Sequence, residues 1–332
     1  MLEPSERPLS ESYDLAMLDL DGVVYIGPDA VPGAPAHVDR ARSAGMRVAF
    51  ITNNARRPPD QVAAHLRELG VTAQAEDVVT SAQAAARVLG ERLGTGARVV
   101  VLGAEGLLEA VVSAGLEPVG VTDDAEALVT GYGPDVRWHD IMRAAVRVRD
   151  GLWWVASNSD MTIPTSFGVA PGHGVLVDTV RRFAGVDPVV AGKPSRPLFE
   201  ETVRRVGGDR PLMVGDRLDT DIEGAVTAGI DSLLVMTGVT GLDELVAATP
   251  AERPTYLSAD LAGLWSAHPE VPVSEGTARA GGWTATVTDG GLLEVEGGGD
   301  PSDWWRVVAQ TAWIHLDASG QHVGTDGVEP PR

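Results

Sequence analysis

Cysteine is absent from this 332-residue sequence, which excludes disulfide bonds, a thiolate nucleophile and a zinc site with cysteine ligands. No apolar run is long enough to span a bilayer, and the amino-terminal stretch MLEPSERPLSESYD lacks the charged and apolar regions of a signal peptide. Basic residues are few, since 26 Lys and Arg stand against 47 Asp and Glu, for a formal net charge of -21. We therefore expect a cytoplasmic protein that binds neither nucleic acid nor a membrane.

Lysine is nearly absent as well, because Lys193, in the stretch VVAGKPSRPLFEE, is the single lysine among the 26 basic residues. Arginine is a rigid fork and lysine a compact charge on a flexible stem, so a site that needs one donor for a phosphate or carboxylate does not accept the exchange. A chance survivor of a coding bias would produce the same pattern. The motifs described below favour a functional lysine.

The apolar content of 44% is sufficient for buried cores in more than one domain. Short apolar runs such as VAFI, ARVVVLG and EALVTGYG alternate regularly with segments of helical periodicity. This alternation predicts an α/β fold with doubly wound parallel sheets. Ligands bind at the carboxyl ends of the strands in such folds, so polar residues at those ends are candidates for function.

Polar residues are concentrated at three predicted strand ends. In MLDLDGVVYIG, Asp19 and Asp21 interrupt a run that reads as a strand buried on both faces. A buried carboxylate costs several kcal/mol unless it meets a cation or donors, so the pair is expected beside a ligand, although a simple Asp-Gly turn is the alternative. The other two ends carry Thr52, Asn53 and Asn54, and Asp216, Asp219 and Asp221.

The second and third of these ends are too far apart in sequence for one connection. Residues 83–188 contain predicted strands and helices of their own, which indicates an α/β cap domain inserted into a core of residues 1–82 and 189–268. The segment SAHPEVPVSEGTARAGG has the composition of a linker, and WTATVTDGGLLEVEG predicts a hairpin. Asp300 and Pro301 then begin a helix, so residues 275–332 are expected to form a hairpin-helix extension, packed together or onto the main body by its tryptophans.

The acidic residues at two of the strand ends form a candidate metal site. Asp19, Asp216 and Asp221 supply hard oxygen ligands without an imidazole, a set that suits Mg²⁺ rather than zinc. An acidic chain would repel a dianionic substrate unless the pocket carried local positive charge. Mg²⁺ and Lys193 would provide that charge.

The spacing of the first two aspartates suits phosphoryl transfer. An aspartate can attack phosphorus to form an aspartyl-phosphate, which divides hydrolysis into two easier steps. A second carboxyl two residues further on can protonate the leaving oxygen and then deprotonate the incoming water. Asp19 and Asp21 have this spacing, and Gly22 suits a backbone that closely approaches a phosphate. Thr52 and Asn53 add donors for the peripheral phosphate oxygens.

Four segments together resemble the signature motifs of the haloacid dehalogenase (HAD) superfamily: DLDGVVYIG, ITNNARR, AGKPSRPLFE and VGDRLDTDI. They are most similar to the NagD-like, 4-nitrophenylphosphatase-like subclass, in which an α/β cap is inserted between the second and third motifs. The resemblance covers roughly residues 13–265 and does not extend to the tail. It implies a Mg²⁺-dependent phosphatase with a Rossmann-like core.

Residue by residue, the resemblance implies that Asp19 is the nucleophile and Asp21 the general acid and base. It also implies that Thr52 and Lys193 bind the phosphate of the substrate. The further residues expected around the phosphate are Gly22, Asn53 and Asn54.

For the metal, the resemblance implies that Mg²⁺ is held by Asp19, by the carbonyl of Asp21 and by Asp216. Asp221 is expected to support the waters of the metal or to orient the lysine of the third motif. Asp219 is expected to face solvent.

The cap is expected to select the substrate. Asn158 and Asp160, in ASNSDMTIP, and the turn at 172–174 are candidate substrate-facing groups. No aromatic slot is evident for a nucleotide or pyridoxal group. The resemblance to the small-polyol and small-acid phosphatases of the family therefore implies glycerol 3-phosphate or 2-phosphoglycolate as the expected substrate, and a nucleoside monophosphate or pyridoxal phosphate is the second choice. Three roles stay open between substrate contact and a position on the surface or at the cap interface, those of His173, Arg56 and Arg57.

A signalling receiver domain is the alternative from a different class, because it also accepts a phosphoryl group on an aspartate near a lysine. Asp21 and the large insert argue against it, since a switch needs neither a proton shuttle nor a cap. A dinucleotide site is disfavoured because no G-x-G-x-x-G follows a predicted strand. The expected partners are a small phosphorylated metabolite and a second copy of the chain, bound through the cap.

Overall fold

A computed structural model describes residues 1–165, 167–274 and 276–331 of the chain. The chain divides into two compact units, Met1–Val48 with Leu69–Val71 and Gly208–Arg332, and Ala49–Glu68 with Thr72–Gly207. Within the described ranges, no helix combines the length and the apolar character needed to cross a membrane.

The strands and helices alternate along most of the chain. The strands are β1 (Leu15–Leu18), β2 (Tyr25–Ile26), β3 (Asp29–Ala30), β4 (Arg47–Thr52), β5 (Val78–Thr80), β6 (Arg98–Leu102), β7 (Glu117–Val119), β8 (Ala127–Thr130), β9 (Trp153–Ala156), β10 (Thr162–Thr165), β11 (Gly168–Pro171), β12 (Val189–Val190), β13 (Pro211–Gly215), β14 (Asp231–Val235), β15 (Tyr256–Ser258), β16 (Val273–Ser274), β17 (Thr277–Ala280), β18 (Trp283–Val287) and β19 (Leu293–Gly297). The helices are α1 (Leu9–Ser12), α2 (Ala34–Ser43), α3 (Pro59–Glu68), α4 (Ser81–Leu93), α5 (Glu105–Ser113), α6 (Trp138–Arg149), α7 (His173–Ala184), α8 (Arg196–Val206), α9 (Glu223–Ala228), α10 (Leu242–Val246) and α11 (Pro301–Ser319).

The first unit contains a parallel sheet with the strand order β15-β14-β13-β1. Every residue of β1 is buried, as expected for a strand that is covered on both faces. Leu18 of β1 pairs with Val214 of β13, so the carboxyl ends of these two strands lie side by side. The residues that follow these two ends therefore meet at one edge of the sheet.

The first strand is shorter than the apolar run predicted, because β1 ends at Leu18, before Asp19. The chain then turns, and the backbone N–H of Val24 donates to the carbonyl of Leu20 (2.9 Å). Gly22 has φ +85°, in the left-handed region that favours glycine. Val23 and Val24 are fully buried although they belong to no strand, which explains why the sequence reads as one long strand.

The second unit contains a parallel sheet with the order β12-β9-β8-β6-β7, built from residues 98–190. It also contains the parallel pair β4 and β5 and the antiparallel hairpin of β10 and β11. The predicted strands ending at Thr52 and in ARVVVLG are present, as is the helix opened by Pro59. The boundaries predicted for the inserted cap stay a prediction.

The carboxyl-terminal segment forms an antiparallel sheet, β16-β17-β18-β19, followed by α11. The predicted hairpin and helix are present, and Asp300 caps the helix by accepting a hydrogen bond from the N–H of Ser302 (2.7 Å). The prediction of a linker before the hairpin was wrong in part, because β17 pairs with β18 from Thr277 opposite Thr286 to Ala280 opposite Trp283. Cross-strand pairing decides strand formation there, against a Gly- and Pro-rich composition.

This extension shares an apolar core with the first unit. Trp304 and Trp313 are 2% and 0% exposed, and they belong to one cluster with Leu245 and Leu257. The indole N–H of Trp313 donates to the carbonyl of Leu245 (2.7 Å). The tryptophans therefore pack within the extension and also pack it against the rest of the first unit. Both arrangements were expected from the sequence.

Candidate active site

Two of the predicted aspartates lie directly after neighbouring strands of the first unit. The backbone N–H of Asp19 donates to the carbonyl of Val214 (2.9 Å), which continues the ladder between β1 and β13 by one bond. Asp216 follows the end of β13. Asp19 is 9% exposed and Asp216 is fully buried. The sheet therefore holds both carboxylates at one edge and away from bulk water.

Asp221 completes a cluster of three buried carboxylates. One oxygen each from Asp19, Asp216 and Asp221 lies within 4.8 Å of the others. At this separation two carboxylates repel by about 3 kcal/mol at an effective dielectric constant of about 20. A divalent cation removes that repulsion, and three hard oxygen donors without imidazole or thiolate suit Mg²⁺. The donor set of this cluster thus fits the predicted metal.

A single π-helical turn, Leu218–Ile222, brings Asp221 back to the end of β13. Its Oδ2 accepts hydrogen bonds from the backbone N–H groups of Asp216 (3.2 Å) and Arg217 (3.1 Å). Asp219, two residues earlier, faces solvent and pairs with the Arg217 guanidinium (2.7 Å). The turn thus separates one inward and one outward aspartate, as expected from the motif GDRLDTD.

The loop that follows β14 holds Asp216 from the other side, and sequence reasoning missed it. The N–H of Val239 donates to Asp216 Oδ2 (2.6 Å), and the hydroxyl of Thr240 donates to the Asp216 carbonyl (2.6 Å). The hydroxyl of Thr237 donates to the carbonyl of Gly22 (2.5 Å). The sequence did contain a signal for this loop, namely its position. TGVTG is a fourth run of small and polar residues at the carboxyl end of a buried strand.

Two glycines pack against the Asp216 carboxyl group. A Cβ built on Gly22 would lie 2.5 Å from Asp216 Cγ, and a Cβ built on Gly238 would lie 2.5 Å from the same atom. Real Cβ contacts this short do not occur, so only glycine fits at either position. The backbone therefore forms a close cradle around the carboxyl group of Asp216 and limits the orientations open to it.

Asp21 differs from Asp19 in its surroundings. It is exposed, and it forms a bridge with Tyr25 in the turn after β1. A carboxyl group in contact with water can exchange protons with it. The structure therefore gives the two aspartates of DLDG different environments, one buried and one open.

The second predicted strand end, in the second unit, forms a tight polar turn after β4. Thr52 is 6% exposed, and its Oγ1 accepts a hydrogen bond from the N–H of Asn54 (3.1 Å). The side chain of Asn54 accepts a hydrogen bond from the N–H of Arg56 (2.8 Å), so it stabilises the turn. Arg56 and Arg57 are exposed.

Asn53, Asn158, Asp160 and Lys193 come together elsewhere in the same unit. Lys193 is 2% exposed and Asn158 is 4% exposed. The Asn53 amide donates to Asp160 Oδ1 (3.0 Å), and the Asn158 amide donates to the Asn53 carbonyl (2.7 Å). The Asn53 amide also donates to the Lys193 carbonyl (3.0 Å), so four residues predicted from three separate segments form one hydrogen-bonded group.

His173 lies neither on a surface turn nor in an open substrate position. It begins α7, is 3% exposed, and its Nε2 is 3.2 Å from the hydroxyl of Thr130. Burial lowers the pKa of its imidazole to about 4. The surface-turn expectation was wrong, because β8 and the neighbouring Trp154, which donates to the same hydroxyl (3.0 Å), enclose the ring.

Both halves of the predicted core match models of one protein family. Residues 16–117 match a family model described as haloacid dehalogenase-like hydrolase, and residues 190–264 match a second HAD-hydrolase-like model. The D-glycerol 3-phosphate phosphatase of Mycobacterium tuberculosis is 44% identical over 298 residues, which cover 90% of this chain and 82% of the relative. The chain belongs to the haloacid dehalogenase-like hydrolases.

Other members of the family extend the comparison. An acid sugar phosphatase of Staphylococcus aureus is 34% identical over 76% of this chain and 96% of its own length. A crystal structure of the M. tuberculosis glycerol phosphate phosphatase in complex with magnesium has a TM-score of 0.83 at 42% identity, covering 93% of this chain and 92% of that one. The 4-nitrophenylphosphatase of Thermotoga maritima has a TM-score of 0.72 at 27% identity, over 77% of this chain and 97% of that one.

These comparisons confirm the predicted family, the parallel-sheet fold and the enzyme class, a phosphatase among the HAD-like hydrolases. The predicted magnesium cofactor agrees with the magnesium complex of the relative.

Proposed function

We propose that this chain is a Mg²⁺-dependent phosphomonoester hydrolase that acts on glycerol 3-phosphate through an aspartyl-phosphate. The observation that carries the proposal is the cluster of Asp19, Asp216 and Asp221, whose carboxylate oxygens lie within 4.8 Å of one another. The name of the M. tuberculosis relative, at 44% identity, supports the substrate. A substrate as small as glycerol 3-phosphate can bind without an aromatic slot in the cap.

In the first step, an oxygen of Asp19 attacks phosphorus and the ester P–O bond breaks. Asp21 donates its proton to the leaving alkoxide, so glycerol departs neutral. In the second step, Asp21 takes a proton from water as the water oxygen attacks phosphorus. The bond between Asp19 and phosphorus then breaks, inorganic phosphate leaves, and both aspartates return to their starting states.

Asp19 and Asp216, with the carbonyl of Asp21, would hold Mg²⁺, and Asp221 would support its waters. Bound there, the ion supplies positive charge to the phosphoryl oxygens and lets carboxylates of the same sign share one site. The backbone donors of Val239, Asp216 and Arg217 orient the ligands before substrate arrives.

Phosphate binding by Thr52 and Lys193 is proposed on the four sequence motifs, with Gly22 and Asn54 as further candidates. The ammonium of Lys193 offers a mobile point charge to a phosphate, and the Thr52 hydroxyl offers a donor. Asn158 is proposed to act at the substrate-facing end of the cap.

A panel of phosphate esters assayed with Mg²⁺ tests the function. We expect glycerol 3-phosphate to give the highest kcat/KM, ahead of 2-phosphoglycolate, a nucleoside monophosphate and pyridoxal phosphate. Preference for one of the last three would overturn the proposed substrate, and no turnover of any ester would overturn the phosphatase. Release of only one equivalent of phosphate per chain would instead indicate a signalling switch.

The nucleophile is tested separately by Asp19→Asn. The change keeps the size of the side chain and removes the attacking oxygen anion, so turnover is expected to vanish while the circular dichroism spectrum stays that of the wild type. For Asp21→Asn, we expect slow turnover and a phosphorylated chain detectable as a mass increase. Retained turnover by Asp19→Asn would contradict the assignment.

We also propose that the chain forms a homodimer through the cap. The hairpin of β10 and β11 exposes apolar residues, with Phe167 84% and Val169 78% exposed. Apolar side chains grouped on a surface hairpin favour a protein interface. Light scattering should give twice the chain mass for the wild type and the monomer mass for Phe167→Ser. The cytoplasmic location stays a prediction.

A further inference from the structure

The side chain of Asn53 uses its whole amide on protein groups. Its Nδ2 donates to Asp160 Oδ1 (3.0 Å) and to the carbonyl of Lys193 (3.0 Å), and its Oδ1 accepts from the N–H of Lys193 (2.8 Å). The last two hydrogen bonds form a ring between the side-chain amide of Asn53 and the backbone N–H and carbonyl groups of Lys193. An amide has two N–H donors, and both are engaged here.

The backbone of Asn53 is held as firmly as its side chain. Its carbonyl accepts hydrogen bonds from the Asn158 amide (2.7 Å) and from the Ser81 hydroxyl (2.6 Å). Gly192, next to the lysine, leaves no space, because a Cβ there would lie 2.5 Å from Asn53 Oδ1 and 2.6 Å from the Ser157 carbonyl. Asn53 is therefore a fixed link between the end of β9 and the lysine segment.

We propose that Asn53 is a positioning residue for Lys193, and that its hydrogen bond to Asp160 couples the cap loop to the lysine. This departs from the sequence-based expectation that Asn53 and Asp160 bind substrate. The inference rests on the proposed function only for the statement that Lys193 binds phosphate. The geometry of the link itself is independent of that function.

Kinetics can separate the two roles. Positioning of Lys193 affects every ligand that contains a phosphate, so Asn53→Ala should raise KM for glycerol 3-phosphate, KM for 4-nitrophenyl phosphate and the inhibition constant of inorganic phosphate by the same factor, about tenfold. Asp160→Asn should also raise the two KM values and the inhibition constant by one common factor, which should be smaller than the factor for Asn53→Ala. If Asp160 instead contacts the glycerol group, only KM for glycerol 3-phosphate will change, and the proposal is overturned.

The hydrogen bond between Asn53 and Asp160 also allows a reversal experiment. Asn53→Asp places a second carboxylate against Asp160 and removes both amide donors, so it should be more harmful than Asn53→Ala. Adding Asp160→Asn restores the hydrogen bond with its direction reversed, because the new amide at position 160 can donate to the new carboxylate at position 53. Phosphate affinity should therefore recover in part. Additive effects of the two changes would contradict the coupling. Asp178→Asn, the same change at a half-buried residue on α7, is the matched control.

The single lysine gives a readout that needs no activity. Labelling with [¹⁵N]lysine produces one backbone amide signal, that of Lys193, whose N–H donates to Asn53 Oδ1. Asn53→Ala should shift this signal and accelerate its hydrogen exchange by about tenfold. Asp160→Asn should shift it by a smaller amount, and Asp178→Asn should leave it in place.

The enzyme kinetics and the Lys193 amide signal distinguish failure of the positioning role from failure of the proposed function. A Lys193 signal that is unchanged in Asn53→Ala and Asp160→Asn would overturn the positioning role even if the chain hydrolyses glycerol 3-phosphate. A wild-type chain without turnover would overturn the proposed function and leave the signal as the test of the link. If Asn53→Ala does not fold, Asp160→Asn and the double variant give the same decision.

Discussion

Gly238 provides the sharpest test of how Asp216, the proposed metal ligand, is held. A Cβ at this position would lie 2.5 Å from Asp216 Cγ and 2.8 Å from Asp216 Cβ, whereas ordinary contact begins near 3.4 Å. Gly238→Ala therefore forces the carboxyl group or the loop to move by at least about 0.9 Å at Cγ, and by more at Oδ2, the nearest atom. Gly238 does not have a positive φ, so the substitution acts through this contact and not through backbone strain.

The expected effect is large at the metal and modest on the fold. Metal sites tolerate ligand displacements of about 0.2 Å, and a shift near 1 Å at a reacting centre costs about 100-fold in rate. We expect Gly238→Ala to raise the Mg²⁺ concentration for half-maximal turnover and to lower kcat/KM by about 100-fold. The free energy of unfolding without metal should fall by only about 1–3 kcal/mol, the usual cost of one extra methyl group in a packed site.

Two assays check this. Turnover of glycerol 3-phosphate is titrated with Mg²⁺, and the free energy of unfolding is measured with and without the ion. At 100 times Kd, Mg²⁺ should stabilise the wild type by about 2.7 kcal/mol and a variant with 100-fold weaker binding by about 0.4 kcal/mol. Gly298→Ala is the control, since a Cβ there meets nothing within 4 Å. A Gly238→Ala chain that titrates like the wild type would refute the cradle around Asp216.

Three further predictions concern other parts of the chain. Burial keeps the pKa of His173 near 4 and an unfolded histidine titrates near 6.5, so the unfolded chain binds more protons between these values and the folded chain loses stability as the pH falls. His173 should contribute about 2 kcal/mol to the loss measured by urea unfolding from pH 7 to 5, beside a similar contribution from buried His268, and His173→Asn should remove only its own share. Glu201 is fully buried and accepts from Arg204 (2.7 Å) and Arg205, so Glu201→Gln should lower the free energy of unfolding by about 2 kcal/mol, whereas the exposed Glu200→Gln should cost about 0.5 kcal/mol or less. Removing residues 269–332 uncovers the apolar surface around Leu245, so the shortened chain should aggregate in light scattering, and a monodisperse fragment would contradict this.

The residues around the metal could be predicted because each belongs to a short segment in which chemistry and strand end coincide. Asp19 and Asp216 interrupt or follow apolar runs, and parallel strands bring such positions to one edge of a sheet. Asp221 could be predicted from its spacing. These inferences need only local sequence and the rule that parallel strands end together.

Other features depend on contacts between distant segments, and no local signal carries them. Val239 looks like an ordinary loop residue until its N–H is seen at Asp216. The amide of Asn53 suits a phosphate as well as a backbone, and only the position of Lys193 shows how it is used. His173 sits between glycines, a context typical of an exposed turn, yet Thr130 and Trp154 enclose it. In each case the partner lies 19 or more residues away in the sequence.

The different environments of Asp19 and Asp21 follow from where β1 ends. In a continuing strand, residues two apart would point to the same face, and both carboxyl groups would be buried together. Since β1 stops at Leu18 and the chain turns through Gly22, Asp19 stays buried while Asp21 reaches solvent. A nucleophile is best kept from water that would compete for the phosphoryl group, and a proton carrier must exchange its proton with water. In the proposed mechanism, the glycine after the second aspartate is therefore part of the chemistry, because the turn it permits divides the two tasks between residues only two positions apart.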